Sequence, residues 1–129
     1  MSAYGYSKNL HIPFDEAVEK TIAALKAQGF GILTDIDVKK TLSEKLNVEF
    51  RNYRILGVCN PSRAYKALQM EEEIGLLLPC NVIVYEREDG AVIVSAQRPT
   101  ITFTAVGNHA LEPLAQGVEE TLKEVIDAF

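Results

Sequence analysis

The chain has 129 residues, 47% of them hydrophobic and 24% charged, with no low-complexity run; it is long enough to bury one core and reads as a single globular domain, residues 1–129. Its formal charge of −5, with no clustered Lys or Arg, excludes a surface built to neutralise a phosphate backbone, so no nucleic-acid partner is expected. No apolar run approaches the roughly 20 residues that cross a bilayer, and the opening ten residues lack the basic flank and apolar stretch of a signal peptide. Two cysteines are too few for a disulfide framework. The expectation is a soluble, cytoplasmic protein with no membrane partner and two free thiols.

Tyr4 and Tyr6 alternate with smaller residues ahead of Leu10 and predict an opening strand. Pro13, Asp15 and Glu16 suit the start of a helix, and Phe14, Val18, Ile22 and Leu25 recur along it at helical spacing until Gly29 closes it. Residues 30–36 read as a short strand, after which Asp35 or Asp37 caps a second helix striped by Val38, Leu42 and Leu46. Residues 53–58 are apolar on both faces, as in the interior of a sheet. Asn60 caps a third helix with Pro61 at its first position; Ala64, Ala67 and Leu68 form its buried stripe, and Glu71-Glu72-Glu73 is a solvated run. Gly75 and Pro79 turn the chain into a strand at 82–86, and Asp89-Gly90 makes a tight hairpin to a partner at 91–96. Residues 99–106 suit either a further strand or an irregular crossing. Asn108 is placed to cap a last helix carrying Leu111, Leu114, Val118, Leu122, Val125 and Phe129 on one stripe.

The order β-α-β-α-β-α-β-β-α predicts an α/β (α+β two-layer) fold, with a mixed sheet of about five strands, some of them parallel, and helices mainly on one face. The other face is left thinly covered. A second copy of the chain would cover it, so a homodimer is expected.

The unusual chemistry is concentrated in Cys59-Asn60-Pro61 and Pro79-Cys80-Asn81, which hold both cysteines of the protein. Cys59 stands at a strand end just before a helix N-terminus, where partial positive charge lowers a thiol pKa, and Arg63 one turn later adds to it. The other reading is a small buried residue that closes the turn, with Asn60 as an ordinary cap. Whether the two motifs meet depends on the third helix. A full crossover between parallel strands puts Cys80 at the far end of the sheet from Cys59; a segment at 70–78 that doubles back makes the strands antiparallel and brings the thiols together. Zinc is not expected, because Cys59 and Cys80 are joined only by His11 and His109, two isolated histidines better suited to solvated or capping roles. No cofactor is assigned.

The segment 55–61, followed by Ala64, Leu68 and residues 77–82, resembles the domain of unknown function 302 family, and Gly29-Phe30-Gly31 with Thr34 and Asp35 is similar to that family's early helix-to-strand turn. The likeness covers nearly the whole chain. It implies a compact prokaryotic α/β domain, dimeric, with no established activity.

Three functions follow for testing. The leading one is a non-enzymatic dimeric binding or sensing domain that takes a small-molecule ligand at Cys59, Asn60, Arg63, Cys80 and Asn81, at strand ends where α/β folds commonly bind. The second is a thiol enzyme or redox protein with Cys59 as nucleophile and Cys80 as resolving partner. The third is a structural or partner-binding domain whose cysteines are inert.

Overall fold

A computed structural model describes residues 2–129; Met1, the first residue of the segment read as lacking a signal peptide, lies outside them. The chain forms β1 (Gly5–Leu10), α1 (Phe14–Ala27), β2 (Gly31–Asp37), α2 (Val38–Leu46), β3 (Tyr53–Cys59), α3 (Pro61–Met70), a 3-10 segment (Glu72–Leu77), β4 (Cys80–Glu86) and β5 (Val92–Gln97). It closes with the short helix α4 (Pro99–Thr102), 3-10 turns at Phe103–Val106 and His109–Leu111, and α5 (Glu112–Asp127). Local chemistry accounts for the boundaries. Asp37 accepts from the Lys40 amide to cap α2, Asn60 accepts from the Arg63 amide to cap α3 with Pro61 in the first position, and Gly90 at φ +88° makes the β4–β5 turn.

The five strands lie in the order β1-β5-β4-β3-β2, and each neighbouring pair is antiparallel. The two-layer α/β architecture and the strand number agree with the sequence, but the expected parallel neighbours are absent from this sheet. The reason lies in the connections. α3 carries the chain away from the end of β3 for ten residues, about 15 Å at helical rise, and the six-residue 3-10 segment brings it back by about 12 Å. The chain therefore re-enters the sheet at the end it left, and β4 must run against β3. Only α1 is a true crossover. It links β1 and β2, which point the same way but occupy opposite edges of the sheet.

Residues 99–106 form α4 and a 3-10 turn rather than a strand. The buried carboxylate of Glu119 on α5 accepts hydrogen bonds from the Thr100 amide (3.1 Å) and hydroxyl (2.6 Å), which satisfies the free amide of the helix start and pins the segment to α5.

On one face of the sheet Leu56 and Val58, then Cys80, Val82 and Val84, then Val92, Val94 and Ala96, and finally Leu10 pack with Ala17, Val18 and Leu25 of α1 and Leu122, Val125 and Ile126 of α5. α1 and α5 lie side by side over β4, β5 and β1. A second cluster of Ala67, Ile74, Phe103, Leu111 and Ala115 fills the space beneath α3 and the segment after β5. The alternate strand residues point the other way. They are Gly5, Ser7 and Asn9 on β1, Ile93, Ser95 and Gln97 on β5, Asn81, Ile83 and Tyr85 on β4, Tyr53, Ile55 and Gly57 on β3, and Thr34 and Ile36 beyond the bulge of β2. None of them is charged. Tyr53 stacks on its cross-strand partner Tyr85 with centroids 5.3 Å apart, and α2 lies against β2 and β3 without burying any of its own residues.

Candidate functional site

The antiparallel return decides which of the two geometries the cysteine motifs adopt. Val58 pairs with Cys80 and Gly57 with Asn81, so Cys59 stands one residue beyond the direct partner of Cys80 at a shared end of the sheet. Cys59, Asn60, Arg63 and Cys80 line one void with Phe30, Ala64, Ala67, Leu78, Phe103, Leu114 and Val118. Asn81 does not join them. It is exposed, its side chain belongs to the opposite face, and its amide donates to Gln97 Oε1 at 3.2 Å.

The void measures about 30 Å³ and its walls are mainly apolar. That is room on the scale of a water molecule rather than an organic ligand. The polar groups around it are engaged within the fold. Asn60 Oδ1 accepts from the Arg63 amide (3.3 Å) and the Ser62 hydroxyl (3.0 Å). Arg63 Nη1 donates to the Gly117 carbonyl (2.9 Å) and to Thr121 Oγ1 (3.0 Å), so its guanidinium ties α3 to α5.

Neither thiol is acidified. Cys80 is only 5% exposed, and burial pushes its thiol up to about 11, with the neighbouring Cys59 adding a smaller push in the same direction. Burial also raises Cys59 above the ordinary thiol value. Desolvation disfavours a thiolate. Both cysteines are uncombined, Cys59 half-buried and Cys80 buried.

The two histidines lie elsewhere. His109 Nδ1 is 2.8 Å from Glu112 Oε1 with its side chain almost fully exposed, and His11 is exposed just before α1. Among the described residues no three His, Cys, Asp or Glu side chains gather to hold a metal ion. Of the acidic run, Glu71 is half-buried and accepts from Asn108 Nδ2 at 3.1 Å, while Glu72 and Glu73 face solvent. Among the described residues no helix is long and apolar enough to cross a membrane.

Sequence reasoning missed Glu119. It is buried on α5, accepts from Thr100, and pairs with Arg98 (3.3 Å) and Lys123 (3.3 Å). Burial works against its charge, but the bonds from Thr100, Lys123 and Arg98 prevail and hold its carboxyl below the usual range. The signal was present in the spacing of Ala115, Glu119, Leu122 and Ile126, which sets Glu119 on the buried stripe of the helix. Also missed was a cleft of about 250 Å³ between the segment after β5 and α5, lined by Thr100, Phe103, Asn108, His109, Leu111, Glu112, Ala115 and Gln116 among others.

No curated protein matches the chain significantly. A crystal structure of an uncharacterised conserved DUF302 protein from Bacillus stearothermophilus is similar, with 29% sequence identity, a TM-score of 0.90 and 98% of each chain covered. The sequence profile of the domain of unknown function DUF302 matches residues 6–129, and the chain therefore belongs to the DUF302 family.

Proposed function

We propose that this chain is a non-enzymatic binding domain that works as a homodimer joined through the uncharged face of its sheet, with Cys59 and Cys80 packed as structural residues. The observation that carries this reading is the charge pattern. The chain has a formal charge of −5, yet none of the strand residues on that face is charged. Two like-charged copies repel wherever their acidic surfaces meet and approach at least electrostatic cost across this face. Ile36 is 45% exposed there, and Tyr53, Ile55, Ile83 and Tyr85 are half-buried, so a second copy would remove further apolar surface from water. Sedimentation equilibrium at micromolar concentration should return twice the monomer mass for the native chain and the monomer mass for Ile83→Lys or Ile36→Lys. A native chain that sediments as a monomer overturns the reading.

The adjacency of Cys59 and Cys80 favours one second reading, a dithiol that reduces a disulfide substrate. Two thiols would then give up two electrons and two protons, and the substrate would leave as two thiols. The raised pKa of both groups works against it. Failure of glutathione disulfide to oxidise the folded protein would dismiss it.

A further inference from the structure

The cleft between the segment after β5 and α5 is a better concave site than the cysteine corner. Its volume of about 250 Å³ is eightfold or so larger than the 30 Å³ void. A closed cavity of about 150 Å³ holds one benzene ring, so the cleft has room for one ring and a substituent, and it is smaller than the sites of drug-sized ligands. Its floor is apolar, built from Pro99, Phe103, Leu111 and Ala115, the last three of which belong to the second core cluster.

The rim supplies the chemistry. His109 and Glu112 are the titratable side chains of the lining, which includes no Lys or Arg. Glu119 lies close by, but its oxygens are committed to Thr100, Arg98 and Lys123. Asn108 is likewise engaged, accepting from the Ala110 amide and donating to Glu71. Glu112 differs. His109 Nδ1 meets its Oε1 alone, and its side chain is 65% exposed at the mouth. A bound molecule therefore meets an apolar floor and a carboxylate with lone pairs to spare, with no lysine or arginine to neutralise an anion.

We propose that this cleft binds a small organic cation, an apolar body of about one ring that bears an ammonium or amidinium group. The body lies on Phe103, Leu111 and Ala115, and the cationic end donates to Glu112. The site is independent of the sheet face through which the chain pairs with itself, and also of the thiols.

The test uses benzylamine as the probe, titrated into the ¹⁵N-labelled full chain and followed by amide chemical shifts. Saturable shifts confined to residues 99–116 are expected, and benzoate, of the same size and opposite charge, should give none. Glu112→Gln is an exposed substitution that leaves the fold intact and should weaken benzylamine about two- to fivefold, the worth of one exposed ion pair. Ala115→Met should fill the floor and remove binding. Non-saturable shifts, shifts centred elsewhere, benzoate binding as well as benzylamine, or a Glu112→Gln variant with unchanged affinity would each overturn the proposal.

Discussion

Gly57 sits in the middle of β3, and a methyl group there would collide with the chain on both sides. A Cβ added to Gly57 would lie 2.3 Å from Thr34 Oγ1 on β2 and 2.8 Å from the Pro79 ring just before β4. The two collisions differ in kind. Thr34 is exposed and can swing its hydroxyl away, and its own Cβ, at 3.6 Å, is in ordinary contact. The Pro79 ring is more confined, and its Cγ must retreat by about 0.6 Å, from 2.8 to 3.4 Å, by repuckering or with its backbone. Overpacking of this sort costs about 1–3 kcal/mol. The stiffer unfolded chain of an alanine variant offsets about 0.4–1 kcal/mol of that. Gly57→Ala is therefore expected to lose about 1–2 kcal/mol, read as a lower urea midpoint at unchanged slope. A Gly57→Ala protein as stable as the native one would refute the account of how Pro79-Cys80-Asn81 is seated against β3.

Further outcomes follow from the same structure. Because the folded carboxyl of Glu119 is held below its unfolded value, the stability it contributes is present above the unfolded carboxylate range and is lost as pH falls through the folded pKa. Glu119→Gln should cost about 1–3 kcal/mol at pH 7 and flatten the acid limb of a stability-against-pH curve; an unchanged acid limb would remove Glu119 from the explanation. With a thiol pKa of about 11, Cys80 has roughly one thiolate per thousand molecules at pH 8. It should react with a disulfide reagent only as fast as the protein opens, with Cys59 slower than a free cysteine, whereas prompt labelling of Cys80 in the folded protein would contradict its burial. Gly117 lies inside α5, where an added Cβ would meet only the Arg63 guanidinium at an ordinary 3.8 Å. Gly117→Ala should gain about 0.5–1 kcal/mol in thermal or urea unfolding, and a loss would mean that Arg63 needs that space.

The elements themselves were readable because each carries its own boundary chemistry. Asn60-Pro61 starts α3, Asp89-Gly90 folds β4 onto β5, and the stripe that runs through Leu122 and Val125 to Phe129 defines α5. The relation of the cysteine motifs was not readable, since it turns on whether the chain from Glu71 to Leu78 runs on or doubles back, and no local preference of those residues fixes that direction. The segment 99–106 stays ambiguous in sequence for a related reason. Ile101 and the threonines favour a strand locally, but the carboxylate that captures the Thr100 amide arrives from Glu119, nineteen residues later. The Cys59 thiol shows the same limit. A helix N-terminus is visible in sequence and predicts a lower pKa, whereas the packing of Phe30, Leu78, Phe103, Leu114 and Val118 around the void, which desolvates the thiol and raises it, is assembled from four separate segments.

The placement of β1 at the edge beside β5 bears on how the chain is made. Ser7 meets Ser95 across 88 residues, and Tyr6 reaches Asp127 across 121. β1 therefore has no neighbour until β5 has emerged, which at ordinary translation rates is a wait of roughly 4–17 s. Meanwhile β2 through β5 are each joined to the next in sequence and can assemble as they appear. The N-terminal strand spends that interval unpaired on the ribosome, open to chaperones and to the edges of neighbouring nascent chains.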